Sequence, residues 1–213
     1  MLVLPPLVIK IGGSVLATGG AHEESGAARE TSSAAHGVLD LVMRSKRSVI
    51  IVPGGGIYAD AVRAEQRREA YDDRTAHRLA TLAMHRTAAD LQTLAPELVP
   101  VAAVEEAKRA LTASKKCIWL PWPMIENQPG IVEDWSMTSD ALAAWLAGKI
   151  GAADVVLIKS CDVPSGQTLD DLTRAGIIDA QFPQVVARSQ LRWHVLSAHN
   201  TLLLASILDE SSA

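Results

Sequence analysis

Short runs of uninterrupted aliphatic residues recur along the chain, separated by longer stretches in which apolar positions return every three or four residues. The first kind predicts strands over Leu7–Ile11, Ser48–Val52, Leu98–Ala102, Cys117–Leu120, Asp154–Lys159 and Trp193–Leu196. The second predicts helices over Gly37–Ser45, Ile57–Arg68, Asp72–Leu94, Val104–Ala113, Ser139–Ile150, Thr168–Ala175 and Thr201–Leu208. Such alternation belongs to an α/β domain with a largely parallel sheet. Several strand runs are apolar at successive positions rather than every second one, as strands covered on both faces require. We therefore expect one domain over residues 1–213, a three-layer α/β/α sandwich with a mostly parallel central sheet.

One segment departs from both patterns. Residues 17–36 are rich in Gly, Ala, Ser, Glu and His and read as a mobile surface loop or a frayed helix. Composition narrows the function classes. At 213 residues and 48% hydrophobic, the chain can bury a sizeable core and is not a disordered or low-complexity protein. A formal net charge of −4 argues against a nucleic-acid partner held by phosphate electrostatics. Aromatic residues at 4% argue against a stacking platform for single strands. Cys117 and Cys161 cannot build a disulfide framework, and both sit in apolar, strand-like runs that predict buried free thiols. No run approaches the ~20 apolar residues of a membrane span, and Met1–Ile11 lacks the pattern of a secretion signal, so the expected location is cytoplasmic.

The candidate chemistry lies where strands end in glycine. Val8-Ile9-Lys10-Ile11 runs into Gly12-Gly13-Ser14, so a strand delivers a lysine beside a turn whose backbone amides can approach an oxyanion closely. Ile50-Ile51-Val52-Pro53 runs into Gly54-Gly55-Gly56, and three consecutive glycines exceed what a plain strand–helix turn requires. Two such turns at the carboxyl ends of parallel strands would border the crevice in which α/β sheets bind ligands. A third signal is Trp135-Ser136-Met137-Thr138-Ser139-Asp140, where Thr138 or Ser139 caps a helix and Asp140 falls in its first turn. There Asp140 can serve the helix alone, orient lysine side chains or help to hold a metal ion. On the long helix, Arg74, His77 and Arg78 share a face that suits a phosphate-bearing ligand or is merely solvated. His85 returns to that side, and His194 and His199 read as structural.

Taken in order, Ile9–Ser14, Pro53–Gly56 and Thr138–Ala143 resemble the amino-acid kinase superfamily. That resemblance implies ATP-dependent phosphoryl transfer to a small-molecule phosphate or carboxylate acceptor, with ATP and Mg²⁺ and a homodimer or larger homo-oligomer. By the same resemblance Lys10 and Asp140 are catalytic, and Gly12, Gly13, Ser14, Lys159 and Asp162 bind the nucleotide. Gly54, Gly55, Gly56, His77 and Thr138 would bind the acceptor. Ala76–Ala80, Trp135–Asp140 and Phe182-Pro183 are similar to the small branch serving methanofuran biosynthesis, whose reaction turns a phosphate monoester into a diphosphate. The implied alternatives are a carboxylate or uridylate kinase, or a non-catalytic nucleotide- or oxyanion-binding member. Two positions differ from the family pattern. Lys159-Ser160-Cys161-Asp162-Val163-Pro164 lacks the glycine expected after its aspartate, and Arg188 stands where many members carry a late lysine. Trp122, in Trp119-Leu120-Pro121-Trp122, is the candidate wall for a furan-like ring.

Overall fold

A computed structural model describes residues 5–16 and 26–209. Six strands form one sheet, all parallel, in the order β3-β4-β2-β1-β5-β6. They are β1 (Leu7–Ile11), β2 (Val49–Pro53), β3 (Val99–Val101), β4 (Cys117–Trp119), β5 (Asp154–Lys159) and β6 (Arg192–Ser197). The helices are α1 (Gly26–Arg44), α2 (Gly56–Glu69), α3 (Asp73–Leu94), α4 (Val104–Thr112), α5 (Trp122–Ile125), α6 (Ser139–Ile150), α7 (Leu169–Arg174), α8 (Phe182–Ser189) and α9 (Thr201–Asp209).

The expected sandwich is observed, and the pleat explains its two cores. Leu7, Ile9 and Ile11 of β1, Val49 and Ile51 of β2, and Val156 and Ile158 of β5 point to one face, against α1 and α9. Val8, Ile50, Val52, Val155 and Leu157 point to the other, where they pack with the Ala- and Leu-rich helix α6 and with α8. The strands therefore need apolar residues at successive positions. β1 lies between β2 and β5, so the strand order reverses around it. The crevice for a ligand is thus predicted at the carboxyl ends of these three strands.

Three expectations change. Part of the 17–36 segment lies outside the described residues, but from Gly26 onward it is helical and continues into the helix predicted from Gly37. Its Ala, Arg and Glu residues are good helix formers, whereas a loop reading weighs only its polarity. Two short helices, α5 and α8, add to those that the pattern predicts. In both, proline occupies the first turn, where its missing N–H costs nothing. Cys117 is buried as expected, whereas Cys161 is exposed just beyond β5.

Candidate active site

Lys10 shares the pleat of Val8 and so faces α6, where it is 6% exposed. An ammonium this deep requires a partner. The first turn of α6 supplies it, with Asp140 Oδ1 2.9 Å from Lys10 Nζ. The other carboxylate oxygen accepts a hydrogen bond from Lys159 Nζ at 2.7 Å. Register explains the meeting. Lys10 lies beside Leu157 of β5, so Lys159, two residues on, emerges on the same face one pleat nearer the crevice. Burial alone would push the Asp140 carboxyl up, but the ammonium groups of Lys10 and Lys159 hold it below the usual carboxylate range. Burial, then the like charge of Lys10, pushes Lys159 down to about 8 despite Asp140. Asp140 is thus a fixed carboxylate that spaces two cations.

Sequence reasoning missed the residue that holds Asp140 in place. Thr138 is the N-cap of α6, yet its side chain makes no capping bond to the helix. Instead its hydroxyl and its amide each donate to Asp179 Oδ2 at 2.9 Å, and the Ala141 amide donates to the same oxygen at 3.0 Å. Asp179 Oδ1 accepts from the Phe182 amide at 2.9 Å, so one carboxyl ties the starts of α6 and α8 together. The Asp179 amide in turn donates to Asp140 Oδ2 at 3.3 Å. Burial and the charge of Asp140 push the Asp179 carboxyl up. A lone Asp in a turn, roughly forty residues from Thr138, Asp140 and Ala141, carries no local signal of those contacts.

The two glycine turns interlock backbone to backbone. Ile11 pairs with Pro53, which sets Gly12 and Gly13 beside Gly54–Gly56. A Cβ on Gly13 would stand 2.1 Å from Gly56 Cα, and one on Gly54 would stand 2.4 Å from the Gly13 nitrogen. Gly56 also has φ +54°, which favours glycine. Close approach therefore explains the triple glycine before any ligand is invoked. The amides divide accordingly. Gly12 N–H donates to Ile158 O at 2.9 Å and Gly54 N–H to Ile11 O at 2.8 Å, so neither is open to a ligand as the amide-cradle expectation for Gly12 required. Gly13 and Ser14 begin a 3₁₀ turn, Gly13–Leu16, and Gly55 and Gly56 begin α2, so their N–H groups are the ones left for an anion. Ser14 Oγ meets Ser160 Oγ at 2.8 Å, joining the first turn to the end of β5.

Lys10 and these turns line a cleft of about 220 Å³, together with His77, Thr81, Arg63, Trp135, Met137 and Thr138. The structure thus brings Lys10, Gly13, Ser14, Gly54–Gly56, Thr138 and His77 to one place, with Asp140 and Lys159 behind them. Asp162 lies elsewhere, on a second cavity of about 710 Å³ with His194, His199 and Asn200. Neither Arg74 nor Arg78 joins His77 in the cleft. Arg74 pairs with Glu133 at 3.0 Å, and Arg78 lies over Trp122, 5.2 Å from its centroid. The cleft's guanidinium is Arg63, stacked 4.2 Å from the centroid of Trp135. Trp135, rather than Trp122, is the tryptophan at the cleft; its indole N–H donates to Gln66 Oε1 at 2.6 Å. His85 accepts from the Trp122 amide at 3.1 Å, the structural role of a satisfied histidine.

The model of the amino acid kinase family matches residues 5–165. The chain belongs to that family. At the level of the family it is a small-molecule kinase. Among curated proteins it is similar to the [5-(aminomethyl)furan-3-yl]methyl phosphate kinase of Methanocaldococcus jannaschii, with 21% identity over 178 residues, 78% of this chain and 81% of that protein. Among solved structures it is similar to UMP kinase from Bacillus anthracis, with a TM-score of 0.71, 15% identity, and 96% and 91% of the two chains covered. Uridylate kinase from Archaeoglobus fulgidus gives a TM-score of 0.64 at 18% identity, covering 97% of this chain and 96% of that one. These structural likenesses establish the amino-acid kinase fold around the site.

The site can be asked whether it fits ATP and magnesium. Two ammonium groups share one carboxylate, and Gly13, Ser14, Gly55 and Gly56, at two helix starts, line the same cleft as Lys10, a donor set that fits phosphate groups. No cluster of three His, Cys, Asp or Glu among the described residues could hold a metal by itself. A magnesium ion, which characteristically binds through substrate phosphates and few protein groups, would therefore be held chiefly by the nucleotide.

Proposed function

We propose that the protein transfers the γ-phosphoryl group of ATP to a compact phosphate monoester seated in the 220 Å³ cleft, giving a diphosphate. The observation that carries this reading is the Lys10–Asp140–Lys159 cluster behind two interlocked glycine turns. An oxygen of the acceptor phosphate attacks the γ-phosphorus, its new P–O bond forming as the bond to the ADP oxygen breaks. Catalysis of this kind is positioning and charge neutralisation. Lys10 and Lys159 offset the charge on the transferred group, Asp140 fixes the distance between them, and the Gly13, Ser14, Gly55 and Gly56 amides cradle phosphate oxygens. Magnesium supplies further neutralisation of the nucleotide phosphates.

The state of the acid side chains favours a phosphate acceptor over an alcohol. A phosphate dianion arrives with an anionic nucleophile, whereas a hydroxyl must lose a proton. Asp140 is held by two ammonium groups and Asp179 accepts four hydrogen bonds, so neither is poised to take that proton. Cleft volume bears on the uridylate alternative. Sites for drug-sized ligands span roughly 300–1,000 Å³, so about 220 Å³ favours a compact acceptor over a nucleotide. The named activity of the Methanocaldococcus jannaschii relative is of this compact, phosphorylated type. We further propose a cytoplasmic location and, by family resemblance, a homo-oligomer with Asp162 on the nucleotide side.

The reading is tested by following ADP release and product mass with ATP, Mg²⁺ and each of [5-(aminomethyl)furan-3-yl]methyl phosphate, UMP, carbamate and N-acetylglutamate. Turnover of the furan phosphate to its diphosphate is expected. ATP binding without turnover on any acceptor would replace the reading with a nucleotide-binding role, and preferential turnover of UMP or a carboxylate would reassign the acceptor.

A further inference from the structure

His77 is 5% exposed, lines the acceptor cleft, and its Nε2 has no hydrogen-bond partner. The rest of the residue is accounted for by α3, where its carbonyl accepts from Thr81 Oγ at 2.8 Å. A buried polar atom left unpaired costs roughly 1–3 kcal/mol, so an atom in this state on a cleft wall points to a ligand that completes it. Burial pushes the imidazole down from its ordinary value, which keeps the ring neutral at pH 7 and leaves one nitrogen bare. Against burial, the Met137 backbone, also on the cleft wall, favours the protonated form of the ring. Nε2 is the ring nitrogen left without a partner, the one free to meet a ligand in the cleft.

Resting on the acceptor reading above, we infer that His77 Nε2 accepts a hydrogen bond from an N–H or O–H group on the acceptor, away from its phosphate. The electrostatics of the cleft agree. The carboxylates of Glu133 and Asp134 act on His77 and favour a ligand group that brings a donor to the ring, whereas Lys10, which lines the same cleft, suits a phosphate. The acceptor class is therefore a compact phosphate monoester that also carries an amine or hydroxyl. A site built to receive such a donor rejects the analogue that lacks it, because the buried acceptor atom is then left unpaired.

Two measurements test this. Nitrogen-15 NMR of ring-labelled histidine, with the His77 signal assigned by His77→Gln, reads the tautomer without ligand; a bare Nε2 is expected, and a protonated Nε2 overturns the inference. Calorimetry then measures binding of the aminomethyl, hydroxymethyl and methyl forms of the furan phosphate to the unaltered protein, His77→Gln and His77→Phe. Replacing the donor-bearing group with methyl should weaken binding by on the order of tenfold or more in the unaltered protein. It should weaken binding less in His77→Gln, which keeps an acceptor oxygen, and not at all in His77→Phe. Amine and hydroxyl forms binding alike would assign a neutral hydrogen bond, and preference for the amine a charged one. Equal discrimination by all three proteins, or no binding of any probe, overturns the inference. A kcat collapse in His77→Gln with unchanged KM also overturns it, by assigning His77 to proton transfer. Binding is read without turnover, so an enzyme inactive on every acceptor would sink the kinase reading while these results still decide the role of His77.

Discussion

Lys159 Nζ and Lys10 Nζ are bridged by one carboxylate, 2.7 Å and 2.9 Å from the two oxygens of Asp140. Neither ammonium has a counter-charge to itself, so the pair is incompletely neutralised until an anion arrives. Removing Lys10 should therefore act on the transition state more than on binding. Lys10→Ala is expected to lower kcat by roughly a hundredfold or more, the scale seen when one preorganised electrostatic group is lost, with a smaller change in KM for ATP. Steady-state kinetics on the accepted substrate decides, and an unchanged kcat rejects the role.

Lys159 carries the pH dependence. With its pKa lowered to about 8, the ammonium loses its proton as pH rises through that value, and turnover should fall on the alkaline side. The same shift works oppositely on stability. Between about 8 and the ordinary lysine value of 10.5 the unfolded chain binds more protons at this position, so the contribution of Lys159 to folding becomes more favourable with rising pH. Lys159→Arg keeps its charge throughout this range. A pH–rate profile should therefore lose its alkaline limb near 8 in Lys159→Arg, and an unaltered limb would mean that another group titrates.

How much of this was legible follows from the distance over which each signal acts. Lys10, Gly13 and the triple glycine declare themselves locally, because a cation and runs of glycine at two strand ends stand out from the aliphatic pattern whether they serve a ligand or the close packing of the turns. The cluster is less visible. Lys159 looks like the end of a strand until the register of β1 with β5 turns it toward Asp140. Trp135 lies in a stretch already singled out, but Arg63 meets it in a cleft wall only through the fold, and nothing near Arg63 marks it. Asp179 is the extreme case, since its meaning lies wholly in the amides that it receives from two other elements.

Asp179 accordingly should matter for both stability and charge. Asp179→Ala removes the acceptor for the starts of α6 and α8, at about 1–3 kcal/mol, or roughly 2–10 °C in Tm for a chain of this size. Asp179→Asn isolates the charge. Asp179 raises the Lys159 pKa, so its neutralisation should move the alkaline limb to lower pH. A limb that stays in place in the asparagine variant would reduce Asp179 to a helix cap.

The glycine turns make a steric prediction. At Gly13 the atoms in the way belong to the Gly56 backbone and cannot swing aside. Gly13→Ala should destabilise by about 3 kcal/mol or more, or separate the turns and abolish activity. Gly37 of α1 is the control, with its nearest neighbour 4.0 Å from a built Cβ. There alanine should be neutral or add up to about 1 kcal/mol. Thermal melts of the two variants test the contrast, and equal behaviour would mean that the turns are not pressed together.

At the opposite ends of the strands a second buried charge cluster serves stability alone. Asp154 begins β5 at 1% exposure, with Arg47 Nη2 2.6 Å from Oδ2 and Arg192 Nε 2.6 Å from Oδ1. Arg47 also donates to Ile207 O at 3.0 Å and Pro5 O at 3.4 Å, so this one carboxylate anchors a guanidinium joining α9 to the segment before β1. Burial would raise the Asp154 carboxyl, but the Arg192 and Arg47 hydrogen bonds outweigh it and hold the group below its usual range. A depressed carboxylate contributes stability that is fully present above its unfolded value of about 3.9 and is lost as pH falls through the lower folded value. Asp154→Asn leaves Arg47 buried without its counter-charge, an expected loss of roughly 3–5 kcal/mol at pH 7. Urea unfolding of both proteins from pH 7 downward should show that gap narrowing below about pH 4, where the unfolded carboxyl takes up its proton while the native one is still ionised. A gap that is already absent at pH 7 would mean that the arginines find water or other acceptors, and that hydrophobic packing alone fixes α9 against the sheet.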